Sequence, residues 1–129
     1  MTRDLKKLTL EYLMAVGNRD YGRVEQLLVP DLRFRGPTMN RSSAADFIGA
    51  LKRLGAIHVR NEVKRVFVDG DEVCVIYDFV TDTAAGALST IEWLHFDGAR
   101  ISAIDLYYDR LPWQAVMQTI AERTAQPAA

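Results

Sequence analysis

Two acidic residues near the end of the chain, Glu92 and Asp105, are spaced so that they could carry out acid–base chemistry together. They flank Asp97-Gly98, a dipeptide typical of a tight turn between antiparallel strands. If Phe96 pairs with Ala99 across that turn, both acids share one face as diagonal neighbours, with Cα atoms roughly 7–8 Å apart. Two carboxyl groups this close in a dry environment cannot both ionise readily, so one pKa is raised. The pair is therefore a candidate general acid and base.

The face that carries both acids is otherwise apolar under this register. An apolar wall with an acidic end suits a small apolar organic ligand. The residues of this face that we expect to contact the ligand are Leu88, Thr90, Leu94, Phe96 and Tyr107. In the alternative interpretation the chain is a non-catalytic ligand-binding or assembly domain, in which the acids only anchor a ligand or point to solvent, as Glu and Asp on strands most often do.

Composition argues against several other kinds of site. The chain has one cysteine, Cys74, and two histidines, His58 and His95, which are too few for a recognisable zinc site, so we predict no bound metal. It has no phosphate-binding loop or dinucleotide fingerprint, so we predict no cofactor. Its 16 basic and 17 acidic residues are interspersed, which predicts no nucleic-acid partner. Without an apolar signal region or a run long enough to span a membrane, we expect no membrane contact and a cytoplasmic location.

The elements that must position the candidate residues fall into two parts. A length of 129 residues suits one domain, which we place at residues 1–124, with 125–129 as a flexible tail. Hydrophobic spacing and capping residues predict helices at residues 5–17, 21–29 and 44–54. A brief strand is expected at 32–36.

From residue 57 the chain changes to β-branched and aromatic residues separated by glycine turns. This pattern predicts four long strands, at residues 57–68, 72–81, 87–96 and 99–108, and Pro112 then opens a C-terminal helix. Strands of this length favour a bent sheet. The predicted fold is α+β, with a cone-shaped, curved antiparallel sheet closed by N-terminal helices around a pocket.

This order of elements resembles the nuclear-transport-factor-2-like superfamily, which includes SnoaL-like polyketide cyclases and ketosteroid isomerases. Residues 12–21 (YLMAVGNRDY) and 101–109 (ISAIDLYYD) carry the resemblance. In SnoaL-like cyclases an acid on a late strand removes a proton α to a carbonyl, and Asp105 best matches that position. Tyr12 resembles the tyrosine of the isomerase oxyanion hole, and Glu92 resembles its protonated acid. The resemblance thus implies isomerase, cyclase or lyase chemistry on an apolar carbonyl compound.

The sequence departs from two branches of that superfamily. Gly36 stands where the isomerase resemblance implies an aspartate base, so classical ketosteroid isomerase activity is not expected. Asp78 has no arginine neighbour on its strand, unlike the acids of limonene-type epoxide hydrolases, and that activity is not expected either. We expect Asp78 to form an ion pair with Lys64 on the preceding strand instead.

The other face of the late strands is also apolar in the predicted register. Its large side chains would be Ile91, Trp93, Ile104, Leu106 and Tyr108. A small domain seldom leaves such a face in contact with water, so we predict a homodimer that buries it. The C-terminal helix is the competing cover for this face.

Overall fold

The computed structural model describes residues 3–125, which form four helices and six strands. The helices are α1 (Leu5–Gly17), α2 (Tyr21–Gln26), α3 (Ala44–Leu54) and α4 (Arg110–Ala125). The strands are β1 (Leu28–Arg35), β2 (Asn40–Arg41), β3 (His58–Asp69), β4 (Glu72–Thr81), β5 (Ala87–Asp97) and β6 (Arg100–Tyr108). The predicted tail lies outside the described residues except for Ala125, which ends α4.

Local capping explains where the first three helices begin. The side chains of Asp4, Asp20 and Ser43 each accept a hydrogen bond from the backbone N–H three residues later. The predicted bounds of α1 and α3 are confirmed. The prediction for α2 is wrong at its end, because β1 begins at Leu28 and includes Pro30. Pro30 lies where the pairing of β1 shifts register, a place where its missing N–H breaks no ladder bond.

One six-stranded sheet forms the body of the fold, with the strands in the order β2-β1-β6-β5-β4-β3. Strands β3 to β6 form the expected antiparallel meander. The sheet is nevertheless mixed, because β1 pairs parallel to β6. We call the face that packs against the helices the inner face and the opposite one the outer face.

The last hairpin does not have the predicted register, because its turn lies one residue later, so that Asp97 pairs with Arg100, and because β6 contains a β-bulge. Phe96 pairs with Ile101, whereas the preceding residue, His95, pairs with Ala103. Ser102 is therefore an extra residue on β6. A shift by one residue turns every later side chain of a strand to the other face.

The prediction that Glu92 and Asp105 share a face is wrong for this reason. Glu92 pairs with Leu106 and points inward, whereas Asp105 pairs with Trp93 and lies on the outer face. The same shift in register makes the predicted set of dimer-face residues wrong for β6. Ile104, Leu106 and Tyr108 belong to the inner face, and the outer face carries Ile91, Trp93 and Tyr107 instead.

The helices cover only the inner face of the sheet. The α4 residue Trp113 packs against Phe79 and Tyr108, with ring centroids 5.4 and 5.3 Å away. Thus α4 closes the cavity side of the fold and leaves the outer face uncovered by the residues that the structure describes. None of the helices within residues 3–125 is both long and apolar enough to cross a membrane.

Candidate functional site

A cavity of about 200 Å³ lies between the inner face of the sheet and helices α1, α3 and α4. Most of its wall is apolar or aromatic. The large apolar side chains of the wall include Val16, Phe34, Phe47, Leu51, Leu54, Phe79, Leu106 and Trp113. Such a wall, with few polar groups, is typical of a site for a small organic molecule.

Three polar side chains meet at the buried end of this cavity. Glu92 is only 4% exposed, and Tyr12 donates a hydrogen bond from its hydroxyl to Glu92 Oε1 at 2.9 Å. Tyr77 donates a hydrogen bond from its hydroxyl to Glu92 Oε2. All three residues line the cavity. Both carboxyl oxygens are therefore satisfied by side chains that a ligand could also reach.

The strands and α1 explain why these three groups converge. On β4, the alternation of buried residues places Tyr77 on the inner face, where it pairs with Thr90 of β5. Glu92 is two residues further along β5, so Tyr77 and Glu92 are diagonal neighbours on one face. Tyr12 reaches the same carboxyl from the buried stripe of α1.

Burial controls the protonation of this cluster. It raises the pKa of Glu92, and the hydrogen bonds from Tyr77 and Tyr12 only partly offset that effect. Burial, together with the neighbouring charge of Glu92, raises the pKa of both tyrosines well above the usual value. Glu92 is therefore the group of the cluster that exchanges a proton, while both hydroxyls stay protonated.

Counting protons shows what the cluster can do. When Glu92 is ionised, the two hydroxyl protons of Tyr12 and Tyr77 are both donated to it. When Glu92 is protonated, the cluster holds one more proton, so one hydroxyl can donate to an oxygen of a ligand. The cluster can thus take a proton and then stabilise an oxyanion.

The other predicted site residues are distributed over both faces. Thr90 lines the cavity beside Glu92. Leu88, Leu94 and Phe96 are buried on the same face but are not among the lining residues. Tyr107 is 52% exposed on the outer face, so its predicted contact with a ligand in this cavity is wrong.

Asp105 lies in a polar cluster on the outer face. Its carboxyl oxygens are 3.4 Å from Arg33 Nη1 and 3.4 Å from His95 Nε2. His95 and Asp105 therefore lie on the same face of the sheet. The structure therefore gives no support to Asp105 as the base of the cavity.

Sequence reasoning missed Tyr77, the second hydroxyl on Glu92. The alternation of Val73, Val75, Tyr77 and Phe79 could have placed it on the inner face. Its contact with Glu92 depends on the pairing of β4 with β5, which spacing alone did not settle.

Two other polar residues that could have carried chemistry, Asp78 and His58, have structural partners. Lys64 Nζ is 3.3 Å from Asp78 Oδ2, which confirms the predicted ion pair. His58 is buried, stacks on Phe79 at 3.8 Å, and has a pKa lowered by burial. No group of three or more His, Cys, Asp or Glu side chains within residues 3–125 is placed to hold a metal ion.

Comparisons with known proteins identify relatives by sequence pattern and by fold. The family model of the SnoaL-like domain matches residues 10–104. A nuclear-transport-factor-2-like protein of unknown function from Cytophaga hutchinsonii superposes with a TM-score of 0.75 at 19% identity, covering 88% of this chain and 97% of its own. Comparison with curated protein sequences finds no significant match.

Two further solved structures carry names that suggest chemistry. A candidate polyketide cyclase from Sinorhizobium meliloti has a TM-score of 0.71 at 14% identity, covering 78% of this chain and 94% of its own. A candidate ketosteroid isomerase from Kribbella flavida has a TM-score of 0.70 at 17% identity, covering 80% of this chain and 76% of its own. At these identities the likeness shows the shared fold alone.

Proposed function

Because the chain belongs to the SnoaL-like domain family, we propose that its cavity binds a small apolar carbonyl compound and that Glu92 transfers a proton at the carbon α to the carbonyl. One observation carries this proposal: a buried carboxyl group, hydrogen-bonded by two tyrosine hydroxyls, lies in an otherwise apolar cavity. A carboxyl with a raised pKa in such a site is a suitable general base near neutral pH.

The proposed reaction begins with ionised Glu92 and a bound ketone. Glu92 takes the α-proton, and the electron pair of the broken C–H bond moves to the carbonyl oxygen to form an enolate. The protonated carboxyl then no longer needs both tyrosine protons, so the hydroxyl of Tyr12 or Tyr77 donates to the enolate oxygen. Return of the proton from Glu92 to another carbon of a conjugated enolate gives isomerisation. Attack of the enolate carbon on a second carbonyl of the same molecule, whose oxygen then takes the proton from Glu92, gives cyclisation.

The size of the cavity limits the compound that reacts inside it. An apolar protein cavity of about 150 Å³ holds benzene. A cavity of about 200 Å³ therefore suits one ring with a short carbonyl-bearing chain. The names of the two solved relatives, a candidate cyclase and a candidate isomerase, support chemistry at a carbonyl compound.

Deuterium exchange tests this proposal. The protein is incubated with acetophenone in D₂O, and the loss of the α-proton signal is followed by NMR. We expect the wild type to accelerate exchange and Glu92→Gln to lower that acceleration by roughly 10²–10⁴-fold, the usual contribution of a general base. Asp105→Asn is the matched control, because it also changes an acid to its amide but lies outside the cavity. Equal exchange in wild type and Glu92→Gln would refute the assignment of the base.

A non-catalytic ligand-binding protein is the second candidate. It is favoured by the fact that both oxygens of Glu92 are already satisfied by tyrosines. Binding is then expected without exchange. A ligand at about 100 times its Kd should add about 2.7 kcal/mol to the free energy of unfolding. Such stabilisation with no α-proton exchange would favour this candidate.

We also propose that a second copy of the chain covers the outer face. Phe67, Ile91, Trp93 and Tyr107 are between 37% and 52% exposed there. Pairing brings Trp93 beside Cys74 and Cys74 beside Phe67, so part of this surface is continuous across three strands. An apolar centre with charged residues around it is typical of a protein interface. The C-terminal helix, which was the alternative cover for this face, does not lie on it, because α4 packs on the inner face.

A further inference from the structure

The charged residues of the cavity are divided between its two ends. Three arginines line it: Arg41 of β2, Arg53 of α3 and Arg110 at the start of α4. Arg53 and Arg110 are exposed and so mark the mouth, whereas Glu92 is buried at the other end. Among the described lining residues, Glu92 is the single acid. The mouth is therefore positively charged, and the acid–base group lies at the far end.

The positive charge of the mouth is only weakly balanced by the protein. Arg41 Nη1 lies 3.4 Å from Asp46, a long contact for an ion pair. Across residues 3–125, Arg53 and Arg110 make no ion pair or side-chain hydrogen bond. The neighbouring carboxyl of Asp109 accepts a backbone N–H of α4 at 3.0 Å instead. An anion at the mouth would thus find guanidinium groups that are free to bind it.

Two buried donors of the cavity wall also lack acceptors. Trp113 is only 9% exposed, and its indole Nε1 has no hydrogen-bond partner within the described part of the chain. The same holds for Arg41 Nε. Both residues line the cavity. These two N–H groups are enclosed by protein, so the exposed guanidinium groups of Arg53 and Arg110 are the donors that an anion at the mouth can reach.

We propose that the ligand is a small keto acid, whose carboxylate binds the arginines at the mouth while its ketone reaches Glu92. The ketone end of this inference rests on the proposed function, and the carboxylate end does not. Guanidinium groups bind carboxylates through two parallel hydrogen bonds. Low-dielectric walls also strengthen the attraction of a charged mouth for an anion.

A matched pair of ligands tests the carboxylate end. One is 4-oxo-4-phenylbutanoate, an aryl ketone with α-protons and a carboxylate, and the other is its primary amide, which has nearly the same shape without the charge. Calorimetric titration should show that the acid binds about tenfold more tightly than the amide at low salt. This preference should shrink in 0.5 M salt, because screening weakens exposed charge interactions.

Variants show whether the arginines cause the preference for the acid. We expect the double variant Arg53→Gln/Arg110→Gln to lose most of the preference for the acid while it binds the amide as the wild type does. Lys52→Gln is the control, because Lys52 neighbours Arg53 but lies over the Tyr21 ring at 5.8 Å and does not line the cavity.

The outcomes separate this inference from the proposed function. Equal affinity for acid and amide, no binding of either, or an acid preference that survives in the double variant would overturn the keto-acid inference. If both ligands bind equally and both undergo Glu92-dependent exchange, the proposed function stands and this inference fails. If the acid is preferred and neither ligand undergoes exchange, the carboxylate end stands and the proposed function fails.

Discussion

Replacing Glu92 by glutamine should change how the stability of the protein depends on pH. The substitution keeps the shape of the side chain and removes its titration. Burial raises the pKa of Glu92 above the usual value of 4.5, so the folded protein keeps a proton that the unfolded chain loses. The resulting stabilisation is complete below pH 4.5 and is lost as the pH rises through the raised pKa of the folded state.

The size of the effect follows from one proton at one carboxyl group. Between the two pKa values, a difference of one bound proton lowers the free energy of unfolding by up to about 1.4 kcal/mol per pH unit. Glu92→Gln lacks this slope and should gain stability relative to wild type as the pH rises. Burial lowers the pKa of His58 from its usual value of 6.5, so below pH 6.5 this residue makes the free energy of unfolding rise with pH. It is present in both proteins and cancels in their difference.

Urea unfolding between pH 4 and pH 8, followed by tryptophan fluorescence, measures this difference. The variant curve should approach or cross the wild-type curve as the pH rises. The same substitution at the exposed residue Glu25 is the control for the loss of one charge. Parallel stability curves for wild type and Glu92→Gln would refute the reasoning, because they would show that Glu92 has the same pKa in the folded and unfolded states.

Three further predictions concern the cavity and the outer face. Tyr77→Phe removes a hydrogen bond that lowers the pKa of Glu92, so the acid limb of the exchange rate against pH should move to higher pH; an unmoved limb would contradict this. Trp93→Arg should dissociate the dimer in sedimentation at micromolar concentration, and a wild type that is already monomeric there would contradict the dimer proposal. The wild type should not isomerise a β,γ-unsaturated ketosteroid above background, because Gly36 offers no proton acceptor at the position of the isomerase base and a cavity of about 200 Å³ suits one ring rather than four. Spectrophotometric turnover of such a steroid would contradict this.

The helical layer could be predicted because its signals are local. A capping residue such as Ser43 satisfies the N–H groups of its own helix, and apolar residues at helical spacing follow it. The same spacing accounts for the position of Tyr12 on the buried stripe of α1. The strand lengths were also nearly right, since the glycine turns that separate the strands are short and local.

The site was predicted less well because it depends on one extra residue. Ile101 and Ile104 are both fully buried although they are three residues apart, which strict alternation along a strand cannot achieve. The bulge at Ser102 resolves this conflict and thereby turns Asp105 outward. The spacing of the two isoleucines was a signal for the bulge, whereas the parallel pairing of β1 with β6 has no comparable local signal.

The most direct test of the account is an NMR titration of the Glu92 carboxyl, labelled with carbon-13 and assigned by comparison with Glu92→Gln. If Glu92 is the acid–base group of a ligand cavity, its pKa should lie above the usual value of 4.5. Its resonance should also shift when acetophenone is added. A Glu92 carboxyl that titrates near 4.5 and does not respond to the ketone would contradict both the burial of this group and its role as the acid–base group of the cavity.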